Sequence, residues 1–111
     1  MNYIKYFQNN NYELNKSDCW TFVQDVFWDE HQKQLPNHPI MTDKAETASR
    51  LQSNIPYQIV KAAEKGCIVY YHNGTTHHAG YAINDKQYIH KTRKRVEVSP
   101  IPEKAIIYKI L

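Results

Sequence analysis

Glycine and cysteine are scarce in this chain, the two signs of charge nearly balance, and no long apolar run occurs. Each shortage removes a class of protein. No stretch approaches the ~18 consecutive apolar residues of a membrane-spanning helix, so none is expected. The N-terminal stretch MNYIKYFQNNNYELNKSD has neither the apolar run nor the cleavage site of a secretory signal. With only Cys19 and Cys67, and no such signal, a structural disulfide is not expected and both thiols read as reduced. Fourteen Lys and Arg against eleven Asp and Glu leave a net charge of +3, too weak alone to argue for nucleic acid. There is no internal repeat and no low-complexity tract beyond a short NNN.

What is there fits one domain. At 111 residues and 41% hydrophobic, residues 1–111 suffice for one compact unit around a single core. The nine Tyr and two Trp suit a tightly packed small core, and flat rings also grip sugars and peptides.

Periodicity divides the chain into helices first and strands afterwards. SDCWTFVQDVFWDEHQKQLP is the clearest helix, with Ser17 or Asp18 able to cap its first turn and Pro36 closing the segment. Cys19, Phe22, Val23, Val26 and Phe27 follow i, i+3, i+4, i+7 and i+8 spacing and share one stripe. MTDKAETASRLQSNIP reads as a weaker second helix, from about Thr42 to before Pro56. From Gly66 the period becomes two, and CIVYYH, HAGYAIN, KQYIHK, RVEVS and AIIYKI are short strand candidates between turn signals. This order implies an α+β domain, with the first helix packed on a mostly antiparallel sheet of about five strands.

Two segments carry candidate chemistry. Cys19 lies in the first turn of the helix, where unpaired N–H groups and the macrodipole favour an anion and lower a thiol's pKa. It reads either as an activated nucleophile or as a small buried hydrophobe. In THHAGYAINDKQYIH, side chains alternate, so His78, Gly80 and Ala82 share one face while Tyr81 and Ile83 share the other. A three-residue loop, Asn84-Asp85-Lys86, sets Gly80 opposite His90 and makes His78 the diagonal neighbour of His90. Gly80 would then open space between two imidazoles, one able to serve as base to a thiol and the other to orient it. The bland alternative for these histidines is an exposed polar face. His77 points away from His78 and is read as surface, and His31, His38 and His72 receive no role. A zinc site of Cys19, His78 and His90 has suitable ligand types but no zinc-type spacing.

DCWTFVQDVFWDE, GCIVYY and HHAGYAINDKQYIH, in that order, resemble the motifs of NlpC/P60 cysteine peptidases, papain-like cell-wall endopeptidases. The resemblance covers about residues 12–98 and rests on all three motifs together. It implies the papain-like NlpC/P60 fold, Cys19 as nucleophile, His78 as general base, and His90, twelve residues on, as the residue that orients it. It also implies Tyr12, Asp18, Trp20 and Gly80 as substrate-binding residues, with Tyr12 or Tyr6 supplying the tyrosine that often bonds near the nucleophile. The implied reaction is hydrolysis of an amide bond in peptidoglycan stem peptides, commonly between γ-D-glutamate and a diamino acid, without metal or organic cofactor. Trp20 after the Cys, and the DCW…LP run, resemble versions encoded with phage and prophage tails, so other tail proteins are implied as partners. Such a protein would be made in the cytoplasm and act at the bacterial wall. Thr21 stands where the family commonly has Gly, and Cys67 where it has the Asp of a GD turn. Two alternatives stay open: a catalytically silent tail or wall-peptide-binding module, and an injected interbacterial amidase toxin of the same fold. Lys91, Arg93, Lys94 and Arg95 read either as a solvated edge strand or as attraction to an anionic wall, without specific nucleic-acid recognition.

Overall fold

The computed structural model describes residues 4–7, 19–35, 57–72 and 77–111. Among these residues, two helices, α1 (Ile4–Phe7) and α2 (Cys19–His31), precede six strands. These are β1 (Tyr57–Val60), β2 (Ile68–His72), β3 (His77–Ala82), β4 (Gln87–Lys91), β5 (Val96–Pro100) and β6 (Ile106–Ile110). One antiparallel sheet takes the order β1-β6-β2-β3-β4-β5, in which β2 to β5 form a meander and β6 returns to the other side of β2. The expected α+β arrangement is present, with a sixth strand.

The main core lies between α2 and one face of the sheet. Phe22, Val23, Val26 and Phe27, four residues of the predicted stripe, pack with Tyr70, Tyr81, Ile89 and Tyr108. Trp20, which was expected beside the substrate, is only 3% exposed and belongs to this core. The opposite face carries a smaller cluster of Cys67, Val69, Ala82, Tyr88 and Ile107. Both faces are therefore apolar, which fits short strands whose alternate residues are almost all Val, Ile, Tyr or Ala.

Local chemistry sets the ends of these elements. Helix α2 stops at His31, short of Pro36, because Gln32 takes a left-handed φ of 54°. The Trp28 carbonyl accepts from both the backbone N–H and the side-chain amide of Gln32, each at 2.9 Å. Gly66, at φ 97°, makes the turn into β2 and has the His31 ring packed against it, so an added Cβ would be both strained and crowded.

The β3–β4 hairpin forms as its sequence predicts. Asn84 Oδ1 accepts from the backbone N–H groups of Lys86 and Gln87, each at 2.8 Å, and the Ile83 N–H donates to the Gln87 carbonyl. That loop sets the register Gly80↔His90, Tyr81↔Ile89 and Ala82↔Tyr88.

Strand β1 was not anticipated. It is four residues long, its middle residues Gln58 and Ile59 are exposed, and among the described strands it pairs with β6. The helix expected from about Thr42 to before Pro56 lies outside the described residues, as do Ser17 and Asp18. No described helix is long and apolar enough to cross a membrane.

Candidate active site

Register brings His78 and His90 together. His90 sits opposite Gly80, so His78, two residues earlier on β3 and on the same face, lies diagonally across from it. The rings meet edge to face, with Nε2 of His78 2.6 Å from Nδ1 of His90. On its far side His90 Nε2 is 2.8 Å from the Ser99 hydroxyl of β5 and 3.8 Å from a Glu97 carboxylate oxygen. The Glu97 carboxylate in turn accepts from Arg95 Nε at 3.2 Å.

Gly80 makes room for Tyr88 as well as for His90. A Cβ there would overlap the ring of Tyr88 and stand 3.0 Å from His90 Cβ. The glycine gives room to Tyr88, whose ring stacks on His90 with centroids 4.2 Å apart and planes 10° from parallel. Tyr88 thus forms one wall of the imidazole pair, while His78 meets its edge. Sequence reasoning missed Tyr88, though its i−2 relation to His90 puts both on one face.

Burial decides the charge of the pair. His90 is 5% exposed, and desolvation together with the neighbouring His78 pushes its pKa down to about 4, against an opposing pull from Glu97. Burial also lowers His78, again opposed by Glu97. At neutral pH both rings are uncharged, so the bond between them has one N–H donor and one lone-pair acceptor. A neutral imidazole can take up a proton, as a general base must.

Cys19 begins α2 and is half-buried, while Cys67 is 1% exposed in the smaller cluster, and no disulfide joins them. Burial pushes the Cys67 thiol up. Cys19 stands close enough for its charge to help raise the hydroxyl pKa values of Tyr70 and Tyr88, both pushed up to about 12 chiefly by burial. Tyr70 lies in the core under α2 and Tyr88 in the cluster on the other face, so the residue is felt from both sides of the sheet.

The other candidates divide. Tyr6 is 7% exposed and its hydroxyl donates to Asp29 Oδ2 at 2.9 Å, a bond that ties α1 to α2. Tyr12, Asp18 and His38 lie outside the described residues. His31, given no role, has Nε2 2.8 Å from the Tyr81 hydroxyl, joining the end of α2 to β3. Lys91, expected among exposed charges, is 1% exposed, because its position on β4 points to the core side with Ile89. Only Arg93, Lys94 and Arg95 remain exposed, in the turn before edge strand β5. Among the described residues, no group of three or more His, Cys, Asp or Glu could hold a metal ion.

A helix with a cysteine at its first residue, laid on an antiparallel sheet that carries a histidine pair, is the α+β arrangement of papain-like proteins. The NlpC/P60 family model matches residues 5–111, and the chain belongs to that family. Among solved structures, the crystal structure of the NlpC/p60 domain of the peptidoglycan hydrolase SagA superposes with a TM-score of 0.64 at 17% identity, covering 96% of this chain and 90% of that one. At that identity the likeness shows the fold. No curated protein matches.

Proposed function

We propose that this protein is a cysteine endopeptidase that hydrolyses an amide bond in peptidoglycan stem peptides. The observation that carries the reading is the part-buried, neutral His78–His90 pair, joined at 2.6 Å, on the same domain as a half-buried cysteine that starts a helix. Family membership and the likeness to a domain of a peptidoglycan hydrolase support the substrate class.

In this reading the Cys19 thiol gives its proton to His78, and the sulfur attacks the scissile carbonyl carbon. The resulting oxyanion is held by N–H groups at the start of α2, including that of Cys19. Collapse expels the amine, which takes the proton back from His78, and leaves a thioester. Water, deprotonated by His78, hydrolyses the thioester and restores the thiol. His90 orients His78 throughout. The bond proposed is that between γ-D-glutamate and the following diamino acid, and the setting proposed is a phage or prophage tail, on the resemblance of the Asp18-Cys19-Trp20 run to tail-encoded versions. Trp20 then serves the site by anchoring the start of α2 in the core, which its burial supports.

Incubation with purified peptidoglycan fragments, followed by mass spectrometry, tests the reaction. The wild-type protein is expected to release one new amine and one new carboxylate per cut, and Cys19→Ala to lose the activity by several orders of magnitude. Cleavage by both proteins, or by neither, would overturn the assignment.

A further inference from the structure

We propose that Ser99 and Glu97 together are positioning residues that set the direction of the protons along the imidazole pair, Glu97 by its charge and Ser99 by accepting from His90 Nε2–H, leaving Nδ1 of His78 as its basic atom. The inference rests on the reading of His78 as base to Cys19 and adds two members to that site on a strand that no motif marks.

Three groups lie in a line. Nε2 of His78 is 2.6 Å from Nδ1 of His90, and Nε2 of His90 is 2.8 Å from the Ser99 hydroxyl oxygen. Each neutral imidazole has a single N–H, whereas a hydroxyl can either donate or accept. Two arrangements therefore satisfy every bond. In the first, His90 Nε2–H donates to Ser99, His90 Nδ1 accepts from His78 Nε2–H, and Nδ1 of His78 keeps its lone pair. In the second, Ser99 donates to His90 Nε2, His90 Nδ1–H donates to His78 Nε2, and the only proton on His78 sits on Nδ1. Only the first leaves a lone pair outside the chain of bonds, able to take a proton from a thiol.

Glu97 chooses between them. Its carboxylate oxygen lies 3.8 Å from Nε2 of His90, and negative charge there favours the proton on that nitrogen. Arg95 Nε pairs with the other oxygen at 3.2 Å. Among the described residues, neither Tyr88 nor His78 opposes this choice. Tyr88, stacked on His90, holds its proton at neutral pH, and His78 is uncharged. Ser99 accepts the proton's hydrogen bond, and the pairing of Ser99 with Tyr88 and of Glu97 with His90 across β4 and β5 keeps both side chains within reach. The arrangement follows the logic by which a polar partner on one imidazole nitrogen decides what the other can do.

Long-range proton–nitrogen NMR of histidine-labelled protein reads the tautomers directly. The wild-type protein is expected to show His90 and His78 both protonated on Nε2. Ser99→Ala should mix or reverse these tautomers, slow alkylation of Cys19, and lower kcat on peptidoglycan fragments ~10–100-fold with KM little changed. Ser99→Thr, which keeps the hydroxyl, should recover both spectrum and rate. A wild-type spectrum with the proton on Nδ1 of His90 would overturn the proposal without any variant. So would a Ser99→Ala protein whose tautomers, or whose Cys19 alkylation, match the wild type. If spectra and alkylation follow expectation while no form cleaves peptidoglycan, the ordering role of Ser99 stands and the endopeptidase reading falls.

Discussion

At the scale of single residues, two cysteines of one chain face opposite conditions. Cys67 is 1% exposed, and burial raises its pKa, so little of it is thiolate at neutral pH. Cys19 is half-buried at the start of a thirteen-residue helix, whose dipole favours an anion at that end. Iodoacetamide near neutral pH is expected to modify Cys19 at least ~10-fold faster than Cys67, and His78→Ala to slow Cys19 itself. Peptide mapping over a time course checks both, and equal rates for the two thiols would argue against an activated Cys19. Both cysteines were legible as candidates from the sequence alone. Which of them packs into the sheet was not, because that depends on neighbours distant along the chain.

Among elements, the hairpin and the helix carry the site in different ways. The β3–β4 turn is local: Asn84 caps it, and a three-residue loop then determines which side chains share a face. The His78–His90 contact was legible for that reason. Gly80→Ala would drive a methyl into the ring of Tyr88 and unstack it from His90. The expected loss is about 1–3 kcal/mol in urea unfolding, as for other overpacked interiors, with the His78–His90 contact disturbed as well. Unchanged stability would mean that Tyr88 has somewhere else to go. Helix α2 depends instead on tertiary packing, with Phe27 2% exposed against His31 and Tyr81. Phe27→Ala should cost about 3–5 kcal/mol, read from the same denaturant curves. Ser99 was invisible at this scale. It reaches His90 only because a four-residue turn, Thr92 to Arg95, pairs Lys91 with Val96 and brings β5 back alongside β4.

For the whole molecule, acid should weaken the fold through its histidines. A histidine whose folded pKa lies below its unfolded value binds fewer protons when folded, so stability rises with pH between the two values and is level above them. For His90 that window runs from about 4 up to the ordinary histidine value near ~6.5. Acidification through it should cost on the order of 1–3 kcal/mol, with His78 adding in the same direction. Thermal melts from pH 7 to pH 4 should show Tm falling, and His90→Gln should flatten the fall. Asp25, raised by burial and by Asp29, acts in the opposite sense, and for that reason the comparison of variant with wild type is the informative one. An equal fall in Tm for both proteins would show that His90 is not the group responsible.

Alternation along β3 and β4, the apolar stripe of α2 and the chemistry of the Asn84 turn are short-range properties. They act within a few residues, so the α+β order, the face shared by His78 and His90, and the helix-start position of Cys19 could all be read from the chain alone. Tertiary structure decided the rest. Edge strand β1, the burial of Trp20 and Lys91, the stacking of Tyr88 over Gly80, and the approach of Ser99 and Glu97 to His90 all depend on which elements become neighbours. Local periodicity records which face a residue occupies, but what that face meets is fixed only when the sheet closes around it.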